Sequence, residues 1–72
     1  MNEIERKTAR REFLITRHNT ITNRLDEITD RLFEENVPVR EFENLKTEHD
    51  NLLVEIDNVE KELKYVFKIN IK

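Results

Sequence analysis

Residues 21–39 read ITNRLDEITDRLFEENVPV, and this stretch decides the fold. It opens with two successive heptads, Ile21-Thr22-Asn23-Arg24-Leu25-Asp26-Glu27 and Ile28-Thr29-Asp30-Arg31-Leu32-Phe33-Glu34. Five of the seven positions are identical, which is a helix reusing one good seam solution rather than a binding repeat. The rhythm then breaks at Asn36-Val37-Pro38-Val39. Asparagine tolerates the left-handed conformation that ends helices. The residue before a proline is pushed away from helical angles. Pro38 itself suits the first position of a new helix, where its missing N–H costs nothing. So short a connection makes the two helices antiparallel neighbours.

Working outward, the heptad phase of residues 21–34 extends back to the start of the chain. Ile4, Lys7, Arg11, Leu14, His18, Ile21, Leu25, Ile28 and Leu32 alternate by three and four residues, the a/d pattern of a coiled coil. Beyond the turn, Phe42, Leu45, His49, Leu52, Ile56, Val59, Leu63 and Val66 keep the same rhythm unbroken. A strict seven-residue repeat implies a left-handed supercoil. The spacing predicts an all-α fold, an antiparallel two-helix coiled-coil hairpin forming a single domain over residues 1–72. Helix one covers 2–35, the turn 36–39 and helix two 38–66, leaving an apolar C-terminal tail over 67–72.

Charge follows the same period. Arg10, Arg17, Arg24 and Arg31 occupy the g position of helix one, and Glu41, Glu48, Glu55 and Glu62 the g position of helix two. In an antiparallel pair, g faces g′. The rails pair as Arg31–Glu41, Arg24–Glu48, Arg17–Glu55 and Arg10–Glu62, with a constant index sum. Their main effect is to disfavour a parallel register, in which like rails would meet.

A lone hairpin of 72 residues buries little surface, and small domains need a staple or a partner. The flank opposite the rails supplies one. Its e positions carry Thr8, Ile15, Thr22 and Thr29 on helix one, and Lys46, Leu53, Glu60 and Phe67 on helix two. Ile15, Thr22, Leu53 and Phe67 are the candidate self-association residues. Residues 1–24 carry six Lys/Arg against three acids, residues 25–62 four against thirteen, and residues 63–72 three against none. The open end of the hairpin is therefore basic and the turn end acidic. Two hairpins packed head-to-tail match basic to acidic, so the expectation is a C2 homodimer forming a four-helix bundle.

Composition limits the chemistry. Charged residues are 40% of the chain and hydrophobic ones 36%, enough for a narrow seam but not a wide core. There is no Gly for phosphate-cradling loops and no Cys for disulfides, thiolates or thiolate metal sites. No apolar run approaches the ~20 residues of a membrane span. No secretory leader pattern opens the chain. The expectations are a cytoplasmic protein that is not an enzyme, with no catalytic residues, cofactor, metal, membrane association or small-molecule substrate. Abundant Asn, Ile, Lys and Glu beside a single Ala fit AT-rich coding, as in a phage or low-GC bacterial accessory protein.

His18 and His49 both sit at a positions. They read as polar layers that set register and oligomeric state; the sharper alternative is a pH-sensitive or metal-binding cluster in a dimer. Phe33 is expected to pack against Val37 or Val39 at the turn. Phe13 lies off the seam among Arg10, Arg11 and Arg17, a composition common at interaction hot spots. From Phe67 the tail alternates apolar and polar, through Ile69 and Ile71. It suits either a cap over the open end or an added strand on a partner's sheet. Arg10, Arg11, Phe13, Arg17, Phe67, Ile69 and Ile71 are the candidate partner-binding residues.

Lys7-Thr8-Ala9-Arg10-Arg11, followed by Phe13, resembles a stretch of the Rop family of plasmid copy-number RNA-binding proteins. Those are short acidic helical hairpins that dimerise into four-helix bundles. The turn falls later in this chain. The resemblance implies nucleic-acid binding by the basic part of helix one, an alternative to the leading expectation of a protein-binding adaptor or regulator. A purely structural oligomerisation module is the third reading.

Overall fold

The computed structural model describes residues 2–68, and Ile69 and Ile71 lie outside the described residues. Two helices, α1 (Glu3–Leu32) and α2 (Val39–Tyr65), fold back on each other as an all-α hairpin. The molecule is a rod with extents of 52 × 24 × 15 Å. No helix among the described residues is long and apolar enough to cross a membrane.

Local chemistry sets the ends. Asn2 caps α1 by accepting from the Glu5 backbone N–H at 2.8 Å, and its side-chain amide donates to the Glu5 carboxylate at 3.4 Å. Helix one stops at Leu32, three residues before the position read from the sequence. Phe33 closes it, its N–H donating to the Thr29 carbonyl at 3.3 Å. Asn36 then takes a left-handed φ of 64°. Pro38 is the cap rather than the first residue of α2. Its ψ of 143° is extended, and its carbonyl accepts the Phe42 N–H at 2.9 Å. The reversal needs more chain than four residues because a left-handed and an extended residue must precede the new helix.

The core is shorter than the seam. Leu14, Ile21, Ile28, Val59 and Leu63 are buried, and Leu25, Leu52, Ile56 and Phe67 pack against the Leu14–Ile21–Val59–Leu63 cluster. At the open end, Ile4 is 76% and Val66 64% exposed. The seam positions between Ile4 and Leu14 are Lys7 and Arg11, both exposed, so no apolar layer continues the core there. Phe33 is 86% exposed, so it does not pack at the turn as expected; α1 has ended beneath it.

Candidate functional site

The four g–g′ pairs are present along one side of the rod. Each arginine offers the Nε and Nη2 edge of its guanidinium to both oxygens of one glutamate, a bidentate fork. Arg10 meets Glu62 at 2.8 and 3.0 Å. Arg24 meets Glu48 at 2.6 and 2.8 Å, and Arg31 meets Glu41 at 2.9 and 2.8 Å. Arg17 binds Glu55 through the same two nitrogens. The hydrogen bond from the arginine is the main cause that holds Glu41, Glu48, Glu55 and Glu62 below the usual carboxylate value; partial loss of solvent opposes it weakly. The same bonds raise all four arginines above the ordinary guanidinium value.

The third nitrogen, Nη1, divides the rail in two. On Arg24 it donates to Glu27 at 3.2 Å, and on Arg31 to Glu34. Both acceptors lie three residues on, one helical neighbour away. The corresponding positions after Arg10 and Arg17 are Phe13 and Thr20. Phe13 offers only its ring, with the Arg10 guanidinium carbon 5.4 Å from its centroid, and Thr20 spends its hydroxyl on the Thr16 carbonyl. Phe13 is 57% exposed. Arg6 and Arg11 make no ion pair among the described residues.

Spacing places Arg6, Arg10, Phe13 and Arg17 on one stripe of α1, whereas Arg11 belongs to the open seam. Tyr65, three residues beyond Glu62 on α2, is exposed on the other side of the rail, with the Lys64 ammonium 5.7 Å from its ring. Arg6 and Tyr65 were missed in the sequence reading. The signal for Arg6 was its four-residue step to Arg10; for Tyr65 it was the three-residue step from Glu62.

On the opposite flank Ile15 and Leu53 are about half exposed and Thr22 is half-buried. Phe67 turns inward. It is half-buried against the hairpin's own core, its N–H near the Glu62 carbonyl at 3.4 Å, and Lys68 turns the chain with a φ of 57°. His18 and His49 do not pair with each other. His18 Nε2 lies 2.9 Å from Glu60, an e-flank residue, and His49 Nδ1 3.5 Å from its neighbour Asp50. Among the described residues no three metal-ligating side chains converge.

No protein-family model matches the chain, and neither a curated protein nor a solved structure matches it. The likeness to Rop hairpins therefore rests on the layout and on the basic stretch of α1.

Proposed function

We propose that this is a non-enzymatic interaction protein, an adaptor or regulator that works in the cytoplasm as a homodimer and binds another protein. The observation that carries this reading is the imbalance of its apolar side chains. Among the described residues five hydrophobics are buried, while ten large ones are exposed, including Ile15 and Leu53 on one flank. A hairpin with so thin a core gains most by covering that flank with a second copy. The head-to-tail arrangement puts each acidic turn beside a basic open end. The rail side and open end then remain for a partner.

Solution mass by light scattering tests the dimer, for the wild type and for Ile15→Glu and Leu53→Glu. The reading expects a dimer that the substitutions convert to monomer or unfold. A monomeric wild type overturns the four-helix assembly.

One observation favours a second reading, nucleic-acid binding: an exposed Phe13 stands among Arg6, Arg10 and Arg17, where a base could stack. Against it, the chain carries a net charge of −3, and Glu27 and Glu34 interrupt the basic stripe just past Thr20. Affinity for an oligonucleotide that falls steeply with salt would favour it.

A further inference from the structure

We infer that the open half of the rail, formed by Arg6, Arg10, Phe13 and Arg17, docks an acidic helical segment of the partner protein. This rests on the protein-binding reading above. Every rail arginine spends Nε and Nη2 on α2, so its orientation is set before any partner arrives. In the turn half, Glu27 and Glu34 then take the outward Nη1 of Arg24 and Arg31. In the open half the same two donors find no carboxylate among the described residues. Phe13 and Thr20 stand where the acids would be.

A partner's carboxylates complete the open half in the way the chain completes its own turn half. Donors already held by a second bond lose little further freedom on binding. Arg6 supplies a third cation one turn earlier on the stripe, and the exposed Phe13 ring supplies the apolar contact between Arg10 and Arg17. The stripe from Arg6 to Arg17 spans about 16 Å at ~1.5 Å per residue, three helical turns of a facing segment. Glu27 and Glu34 repel an acidic ligand, so they confine it to the open half and set its limit. The same charge pattern disfavours a polyphosphate strand, which would run on past Thr20 into those acids.

The test uses the full chain, labelled with 15N, and a synthetic helical peptide with glutamates spaced four and seven residues apart around a leucine. Its glutamine counterpart is the control. Saturable shifts confined to the amides of residues 6–17 and those near Tyr65 are expected, with the glutamine peptide inert. Phe13→Glu and Thr20→Glu supply the missing acids internally. Together they should weaken peptide binding about tenfold, the sum of two or three exposed pairs of ordinary strength. Their melting temperature should not fall, which separates lost binding from lost fold.

Absence of peptide binding, or binding by the double variant as tight as by the wild type, overturns the inference. Shifts centred on Thr22 and Leu53 instead would overturn this surface and leave the protein-binding reading standing. An oligonucleotide that shifts residues 6–17 when the peptide does not would overturn both.

Discussion

Ile21→Ala and Ile4→Ala remove the same carbons from two positions of the same apolar seam. Ile21 is 1% exposed inside the core cluster, and Ile4 is 76% exposed at the open end. Losing Cγ1, Cγ2 and Cδ1 from a buried site costs about 0.8 kcal/mol per group in transfer free energy. The cavity left behind brings the total to about 2–5 kcal/mol. At Ile4 only about a quarter of the side chain is out of water, so the loss is about 0.5 kcal/mol. A domain of 72 residues has about 4–11 kcal/mol of stability to lose. In a domain of this size each kcal/mol moves the melting point by roughly 4–8 °C. Thermal unfolding followed by circular dichroism at one fixed protein concentration should therefore show Ile21→Ala lower by at least about 10 °C. Ile4→Ala should differ from wild type by no more than a few degrees, about 4 °C at most. Equal losses at the two sites would refute the reasoning, because they would mean the seam is packed through to the open end.

Two further outcomes follow from the turn and the rails. Asn36 holds a left-handed φ, so Asn36→Val should lower stability by about 1–2 kcal/mol in a urea titration, while Asn36→Gly should leave it unchanged or raise it. Glu41, Glu48, Glu55 and Glu62 are held below the ordinary value of 4.5 when folded. Their ion pairs are thus fully present above that value and are lost as pH falls through the lower folded values. The melting temperature should drop from about pH 4.5 downward, and less so in high salt because the pairs are exposed. An acid limb insensitive to salt would place the loss elsewhere.

The helices, their antiparallel sense and the partner of each rail residue were legible in the chain because they depend only on period and on the short connection at Pro38. A seven-residue repeat puts Arg17 and Glu55 on facing edges whatever the neighbours do. The turn was legible as a place but not in its length, since the left-handed Asn36 and extended Pro38 take residues from the end of α1. The second acceptor of Arg24 and Arg31 was written in the three-residue step to Glu27 and Glu34. Its significance appeared only when the guanidinium donors could be counted one by one.

Burial was decided by the tertiary structure. Ile4, Ile21 and Val66 share one pattern, yet only Ile21 is enclosed, because enclosure depends on what stands across the seam, and near Ile4 and Val66 the seam positions are the exposed Lys7 and Arg11. Phe33 lies just beyond the last turn of α1 with nothing above it, whereas Phe67 packs against the core cluster of Leu14, Ile21, Val59 and Leu63. Sequence period determines which face a side chain occupies; only the packed pair of helices determines whether that face is covered.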